Sequence, residues 1–501
     1  MLSAGVFAFV VVTHGAGPEK DSRWETWDPA TSARTLSSFL PFDMPAYEEL
    51  VASEKKVFPH WHLFKVSWDN KAPEKDFYDR AVAAPHSKYP NKGRQRPLPR
   101  PVRDAPDWMV LDMMYEIRLA RAIGCDGFLM NHFGRNNRHV RAMLEAAKRV
   151  GSEFRILLAK DAIGYHGNRR ENTVRRRGDP VEYFSAIYEE FGPHPYAYRV
   201  GDRLAISGFA SMGVRPDEWR AVFRNLNEAG IDVYFVPIFM NWKAHYKRYA
   251  AISEGFGDWG GRRYDSYKAY LAGPDLSHAL GKKWIMPVPN QDVRVKGNMY
   301  WEARGSALYR NYWKAAIESD SDWVQLITWN DYSEATEILP STGTQYAFYD
   351  MSAYYIVWFK TGERPRIVRD VLYYFHRTQF SDANPSEGKQ FRCVGKPADI
   401  IELVAFLKKP GTLAIEIGGR TYTKKAGYGV TSFTVPLQHG RPVFKLIRDG
   451  AEEIILPSAF SVPDQRPKVH DLLYHAGSST RDVVPMSDLY KRFFDADSGT
   501  E

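Results

Sequence analysis

Cysteine is almost missing from this chain, which carries only Cys125 and Cys393 among its 501 residues. Two cysteines so far apart offer neither the spacing of a zinc site nor the framework of a disulfide-rich domain. Long apolar runs are missing too, because none approaches the roughly 18 residues that a membrane-spanning helix requires. The sequence therefore predicts a large globular protein with no cysteine-based metal centre, no disulfide and no membrane span.

A strong excess of either sign of charge is also lacking. The 68 basic and 60 acidic residues leave a net charge of +8, which is small for a chain of 501 residues. Basic residues cluster in Asn91–Arg103 and Arg169–Arg177. We interpret both clusters as solvated surface loops, because no nucleic-acid-binding motif accompanies them. No nucleic-acid partner is expected.

The N-terminal residues include an apolar run from Leu2 to Val12. This run resembles the core of a signal peptide, although no basic residue precedes it. We expect an export signal at residues 1–17, within an N-terminal segment of residues 1–50, and hence a secreted or periplasmic protein.

Aromatic residues are plentiful, at 14% of the chain, with 14 Trp, 29 Tyr and 28 Phe. A large core would explain this abundance. Sugar binding would explain it as well, because sugar rings present apolar C–H faces that stack on aromatic planes. Composition alone does not decide between the two.

Eight apolar segments alternate with segments whose apolar residues recur at helical spacing. The predicted strands are Lys55–Phe64, Cys125–Phe133, Glu153–Asp161, Asp202–Phe209, Asp232–Phe239, Ser253–Gly260, Lys282–Asn290 and Asp322–Asp331. Continuous apolar strands followed by helices indicate a parallel sheet covered on both faces. This α/β pattern predicts a (β/α)8 TIM barrel over residues 51–380. A doubly wound open sheet is the alternative, but no Gly-rich phosphate turn follows the first strand.

A second pattern begins near residue 385. Short alternating stretches, separated by Pro-Gly, Gly-Gly and Asp-Gly turns, predict a small antiparallel β-sandwich domain over residues 385–465. Residues 466–501 are then a C-terminal tail.

Polar and aromatic side chains stand at the predicted C-terminal ends of the strands, where barrel enzymes place their active sites. The candidate substrate-binding residues are His60, Trp61, Asn131, His132, Asp161, Trp242, Asp258, Trp259, Trp329, Asn330 and Tyr332. Such a rim suits a sugar cleft. Some members have a second interpretation: Asp161 could cap a loop, and Trp242 and Trp259 could pack the core.

Two carboxylates, Asp331 and Glu334, follow the last strand and are the candidate catalytic pair. Their spacing also fits a helix capping box, but Pro340 and Gly343 come too soon for a helix. Three residues span at most about 10 Å, which includes the carboxyl separations of both inverting and retaining glycosidases.

The first strand carries His60 and His62 on one face, because the side-chain period of a strand is two. Such a pair occurs in metal-dependent amidohydrolases of the barrel type. That class also needs histidines at the ends of the fifth and sixth strands, and this sequence has none there. No metal site is expected.

The segment "VQLITWNDYSE" resembles the last-strand signature of glycoside hydrolase family 71, the α-1,3-glucanases or mutanases, which reads Thr-Trp-Asn-Asp-Tyr-Gly-Glu-Ser. Weaker similarity runs through "KVFPHWHLF", "AIGCDGFLMN" and "LLAKDA", and covers most of Lys55–Arg377. Ser333 stands at the usual Gly and Ala335 at the usual Ser. The seventh strand, "PVPNQDVRV", lacks the family's aromatic residue.

This resemblance implies an endo-acting hydrolase of α-1,3-glucan that inverts the anomeric carbon with two carboxylates and needs no cofactor. We expect Asp331 to be the base, because it follows polar Asn330 at the strand end. Glu334 is then the acid, with Tyr332 placed to shield it and raise its pKa. The expected partner is a polysaccharide or oligosaccharide.

Two alternatives stay open. Family 99-like endo-α-mannosidases end their last strand in Trp-Asn-Glu-x-x-Glu, and Asp331 in place of the first Glu favours family 71. A non-catalytic carbohydrate-binding barrel is the other, and the intact pair of Asp331 and Glu334 argues against it.

Overall fold

The computed structural model describes residues 36–62, 69–71, 95–98, 102–132, 137–163 and 178–483. The expected export signal at residues 1–17 and the basic cluster Arg169–Arg177 lie outside the described residues.

Eight parallel strands form a closed barrel. They are β1 (Lys56–His62), β2 (Gly127–His132), β3 (Arg155–Asp161), β4 (Arg203–Phe209), β5 (Val233–Phe239), β6 (Gly255–Asp258), β7 (Lys283–Pro289) and β8 (Trp323–Ile327). Each strand pairs with its neighbour in the chain, and β1 closes the ring on β8. The prediction of a (β/α)8 barrel is confirmed, and each strand lies within its predicted segment.

The barrel strands are buried on both faces, which explains their uninterrupted apolar sequence. Inward residues such as Leu129, Leu157 and Ile285 fill the barrel. Their neighbours in the chain point outward and pack beneath the surrounding helices, as Met130 and Leu158 do.

The helices of the described residues surround the barrel; the first precedes β1, the last follows β8, and the others stand between successive strands. They are α1 (Tyr47–Val51), α2 (Trp108–Ala122), α3 (Arg138–Val150), α4 (Pro180–Phe191), α5 (Pro216–Glu228), α6 (Trp242–Tyr249), α7 (Gly273–His278), α8 (Ala307–Glu318) and α9 (Ala347–Thr361). Asp179 caps α4 by accepting from the backbone N–H of Val181 at 2.8 Å. Helix α6 was not predicted, and it changes the role of Trp242.

An antiparallel β-sandwich follows the barrel, as the sequence predicts. Its strands are β9 (Val371–His376), β10 (Ile400–Leu407), β11 (Gly411–Ile417), β12 (Arg420–Ala426), β13 (Gly429–Pro436), β14 (Val443–Arg448), β15 (Ala451–Pro457) and β16 (His475–Ser478). One sheet has the order β13-β10-β9-β16, and the other has the order β12-β11-β14-β15.

The sandwich extends beyond residues 385–465 at both ends, because β9 and β16 complete its first sheet. Alternate residues of β9 serve two cores: Leu372 and Tyr374 face the second sheet, and Tyr373 and Phe375 face the barrel. Tyr374 stacks on Phe444 with ring centroids 5.0 Å apart. The first sheet is therefore the layer between the barrel and the rest of the sandwich.

A hairpin after β7 links the two domains. It runs from Asp292 to Trp301, and we call it the β7 hairpin. Its second strand also pairs in parallel with Arg392–Val394 from the sandwich side. Within the part of the chain that the structure describes, no helix is long and apolar enough to cross a membrane.

Candidate active site

The inward side chains at the C-terminal end of β1 form one wall of the barrel mouth. Because the period of a strand is two, His60 and His62 both point inward. Trp259, just after β6, packs against both imidazoles, with ring centroids 4.6 Å from His60 and 6.3 Å from His62. Phe209 of β4 contacts both Trp259, with ring centroids 4.6 Å apart, and His60, with ring centroids 5.9 Å apart. This gives the mouth an aromatic floor.

Gln325 fixes the orientation of the His60 ring. Its Nε2 donates to His60 Nδ1 at 2.8 Å, so in the neutral ring the proton lies on Nε2. That Nε2 has no hydrogen-bond partner among the described residues. Burial and the neighbouring His62 hold the pKa of His60 well below its usual value, while Asp331 opposes the shift. His60 is therefore a neutral donor aimed into the mouth.

The loop after β8, Thr328–Leu339, holds the two candidate carboxylates, and we call it the β8 loop. It folds back on itself, because Thr328 N donates to Thr336 O at 2.6 Å and Ile338 N donates to Thr328 O at 2.9 Å. No helix begins before Ala347. The carboxylates therefore stand on a loop above the barrel, as the positions of Pro340 and Gly343 predict.

Asp331 is almost fully buried, and its two oxygens have different surroundings. Oδ1 accepts from Ser333 N at 3.1 Å, Ser333 Oγ at 3.0 Å and Glu334 N at 3.1 Å. Oδ2 lies 3.7 Å from His62 Nε2. One oxygen thus caps a turn of the β8 loop, and the other is next to the barrel mouth. Three donors on one oxygen suit an ionised carboxylate.

Glu334 is more exposed than Asp331, with 28% of its side chain accessible, and it is held by the β7 hairpin. Its Oε2 lies 2.9 Å from Arg294 Nη2. Its backbone carbonyl accepts from Val293 N at 2.9 Å. The hairpin therefore grips both the main chain and the side chain of Glu334.

Sequence reasoning missed the charged residues around this pair, which are Arg262, Asp292, Arg294 and Glu337. Arg294 binds Asp292 through two contacts of 2.7 Å. Arg262 lies over the Trp259 ring at 5.3 Å and 3.3 Å from Asp292. The available signal was the unusual "QDVRV" after the seventh strand, which places an acid and an arginine two residues apart.

Burial perturbs two of these acids. It raises the pKa of Asp292, and the Arg294 guanidinium opposes this shift. It raises the pKa of Glu337 well above its usual value, and the neighbouring Asp331 adds to the effect. The acids of this site are therefore electrostatically coupled, and the proton on one affects the charge of another.

Two further predicted residues point into the mouth. Asn131 lies one strand from His62 in register, and neither atom of its amide has a hydrogen-bond partner among the described residues. Asp161 ends β3 on its inward face, and its Oδ1 accepts from Ile163 N at 2.8 Å. One oxygen of Asp161 therefore caps a loop while the side chain faces the mouth, so its role as a sugar contact stays a prediction.

Other predicted residues face away from the mouth, which corrects the expectation that they contact sugar. Trp61 and Trp329 both donate to Glu116 Oε2 of α2, at 2.8 and 3.1 Å. Trp242 packs on Trp284 at 4.7 Å, beneath α6. Trp61 follows the inward-facing His60 on β1 and therefore points outward, and Trp242 begins helix α6. All three indoles belong to the core between the barrel and the helices.

The expectation that His132 and Asp258 contact sugar is corrected for the same reason, because both side chains face away from the mouth. Lys160 Nζ lies 2.7 Å from His132 Nδ1, under α4. Asp258 accepts from Trp242 N at 2.8 Å and from the Tyr270 hydroxyl at 3.1 Å. Both residues fix the outer layer rather than the mouth.

Asn330 and Tyr332 support the site without lining it. Asn330 is fully buried, and its amide bonds to the backbone of His62. Tyr332 is buried in the core around the barrel.

The model of the glycosyl hydrolase family 71 domain matches residues 102–461. The chain belongs to glycosyl hydrolase family 71. This family 71 protein is 24% identical to the glucan endo-1,3-alpha-glucosidase agn1 of Schizosaccharomyces pombe, over 67% of this chain and 83% of that protein. It is 22% identical to the mutanase Pc12g07500 of Penicillium rubens, over 69% of this chain and 80% of that one.

Among solved structures, the family 71 chain resembles the GH99 endo-alpha-mannosidase from Bacteroides thetaiotaomicron. The TM-score is 0.47 and the identity 16%, over 61% of this chain and 97% of the other. Family membership makes the protein a glycoside hydrolase. Among the described residues, no group of three or more His, Cys, Asp or Glu side chains is arranged to hold a metal ion.

Proposed function

We propose that this family 71 enzyme hydrolyses α-glucan by endo attack on α-1,3 bonds, with inversion, and that Asp331 and Glu334 carry the reaction. The main support is the pair of carboxylates on the β8 loop, at the mouth of a glycoside hydrolase barrel. Two relatives, a glucan endo-1,3-alpha-glucosidase and a mutanase, support the choice of bond.

Asp331 is the general base in this proposal. Three donors hold its Oδ1 and favour the ionised form, while Oδ2 lies 3.7 Å from His62 Nε2. An ionised and oriented carboxylate can take a proton from the water that attacks the anomeric carbon.

Glu334 is the general acid in the same proposal. Its partly exposed carboxyl can protonate the leaving glycosidic oxygen. The contact with Arg294 favours the charged form of Glu334, so the acid role requires that this contact loosens when sugar binds.

The mouth residues His60, Asn131, Asp161 and Trp259 are the proposed sugar contacts. The His60 Nε2–H and the Asn131 amide provide a donor and a mixed donor–acceptor for sugar hydroxyls. Trp259 provides an apolar face below them.

Release of reducing ends from four polymers tests the proposal: α-1,3-glucan, starch, dextran and α-mannan. We expect cleavage of α-1,3-glucan alone, with an early ladder of oligosaccharides that marks endo attack. The double variant Asp331→Asn/Glu334→Gln provides the background rate. Cleavage of mannan instead would support the family 99-like activity, and binding of a glucan without cleavage would support a non-catalytic barrel.

A further inference from the structure

Glu334 is attached to the β7 hairpin at two points, and the hairpin is attached to the β-sandwich. The main-chain contact is Val293 N to Glu334 O at 2.9 Å, and the side-chain contact is Arg294 to the carboxylate at 2.9 Å. The far strand of the hairpin pairs with Arg392–Val394, Tyr300 opposite Cys393. The carboxylate is thus connected to the second domain through one short piece of sheet.

An apolar cluster fills the space behind this contact. Val293 and Tyr300 of the hairpin pack with Ala335 of the β8 loop, and with Phe391 and Leu472 from the sandwich side. All five are buried. The hairpin and the β8 loop therefore share one small core with the sandwich, which limits their relative movement.

The Arg294 side chain has little freedom of its own. Two contacts of 2.7 Å join it to the buried Asp292, and its guanidinium lies over the Trp301 ring at 4.8 Å. A planar guanidinium held along one edge presents its remaining N–H groups in a fixed direction. Glu334 lies in that direction.

We infer that Arg294 is a positioning residue that sets both the place and the charge of Glu334, from a hairpin that the β-sandwich holds. This inference rests on the proposed function, because it matters for the reaction only if Glu334 is catalytic.

The charge around Glu334 comes from several elements. Among the described residues, Arg294 on the β7 hairpin and Arg262 after β6 act on the Glu334 carboxylate. Asp292 pairs with both arginines, and Asp331, which lies near His62 and Glu337, stands on the same β8 loop as Glu334. Arg294 contacts the Glu334 carboxylate directly, at 2.9 Å. Its removal should therefore make protonation of Glu334 easier.

The test is the pH dependence of kcat/KM for Arg294→Met on α-1,3-glucan, because kcat/KM reports the free enzyme, in which Arg294 contacts Glu334. We expect the limb that reports Glu334 to move up by about 1 pH unit, because a contacting opposite charge typically shifts a carboxyl pKa by that order. A shift of the alkaline limb assigns Glu334 as the acid, and a shift of the acid limb assigns it as the base. Both outcomes support the inference.

Two variants provide the comparison. Arg294→Lys keeps a positive charge, so its profile should stay near that of the parent enzyme while kcat falls. Lys296→Met removes a charge from the exposed turn of the same hairpin and should change neither the pH–rate profile nor kcat. Melting curves of all variants separate lost folding from lost positioning.

A double-mutant cycle ties the effect to Glu334. If Arg294 acts through Glu334, Arg294→Met should lower the residual rate of Glu334→Gln by less than about 2-fold. The inference would be overturned if Arg294→Met folds and both limbs of its pH–rate profile stay where they are in the parent enzyme. It would also be overturned if Arg294→Met lowers the rate of the Glu334→Gln variant as much as it lowers the rate of the parent. Near-normal activity of Glu334→Gln alone would instead overturn the proposed function.

Discussion

The side chain of Asn330 pairs with the backbone of His62 as a strand would. Its Oδ1 accepts from His62 N at 2.7 Å, and its Nδ2 donates to His62 O at 3.3 Å. The β1–β8 ladder ends before this point, at Pro59 and Leu326. Asn330 therefore extends the contact between the two segments to His62, three residues beyond Pro59, and holds His62 beside Asp331.

Replacing Asn330 by Ala should leave the buried His62 N–H without this partner. We expect a loss of roughly 1–3 kcal/mol in the free energy of unfolding, measured by urea titration. The turnover number should fall as well, because His62 is no longer held next to Asp331. Asn330→Asp keeps the acceptor but not the donor, so an Asp variant as stable and active as the parent would refute the role of the Nδ2 contact.

The two carboxylates should each be needed for turnover. Asp331→Asn and Glu334→Gln are expected to lower kcat by at least about 10²-fold, the usual size of a general acid–base contribution. Circular dichroism and melting curves should stay close to those of the parent enzyme for Glu334→Gln, since that side chain is partly exposed. Near-normal rates from both single variants would remove the pair from the reaction.

Trp242 and Trp259 should behave differently, although the sequence suggests the same role for both. Trp242 lies in the core against Trp284, so Trp242→Ala should cost about 3–5 kcal/mol of stability. Trp259 forms the floor under His60, so Trp259→Ala should weaken oligosaccharide binding more than it lowers stability. Calorimetric titration and thermal melts distinguish the two, and equal effects on sugar affinity would contradict this division.

Stability should fall between neutral and mildly acidic pH because of His376. Burial lowers the pKa of this imidazole to about 4, and its Nε2 lies 2.7 Å from Ser458 Oγ. An unfolded His titrates near ~6.5, so below that pH the unfolded chain binds a proton that the folded chain refuses. The free energy of unfolding is therefore highest above pH 6.5 and falls as the pH drops towards 4.

The variant His376→Gln stays neutral throughout this range. The parent protein should lose about 2 kcal/mol more than the variant between pH 7 and pH 5, from ~1.4 kcal/mol per pH unit below 6.5. Urea titrations at the two pH values measure the difference. Parallel losses in both proteins would assign the pH dependence to other groups.

Local patterns in the sequence predicted much of the fold and part of the site. The eight barrel strands are continuous apolar runs, and Pro340 and Gly343 rule out a helix after Asp331. Which side chains line the mouth was harder to predict, because His60 and Trp61 are neighbours and only the pairing of strands fixes their faces. Trp242 was misplaced since helix α6 begins at that residue.

Contacts between distant segments were beyond such reasoning. Arg294 and Glu334 are 40 residues apart and meet because two loops share one end of the barrel. Strands β9 and β16 are separated by about a hundred residues, yet Tyr373 stands opposite Ser478. The helical and strand periodicities of the sequence predict neither of these two contacts.

Inversion of the anomeric carbon, which the resemblance to family 71 implies, sets the stereochemistry that we expect. Asp331 and Glu334 come from one loop rather than from opposite walls, and an inverting site needs room for a water between the base and the anomeric carbon. We therefore expect their carboxyl carbons to lie about 6.5–9.5 Å apart in the sugar complex, and the first product from an α-linked glucan to be the β-anomer.

The separation is the weaker check, because Glu334 is partly exposed and can swing when sugar displaces Arg294. Proton NMR of the anomeric signal in the first minutes is the stronger one, with α-1,3-glucan oligosaccharides as substrate. If the α-anomer forms first, the enzyme retains configuration and one carboxylate is a nucleophile. The partner would then have to stand closer, at about 5 Å, and Asp161 on the inward face of β3 would be the next carboxylate to replace.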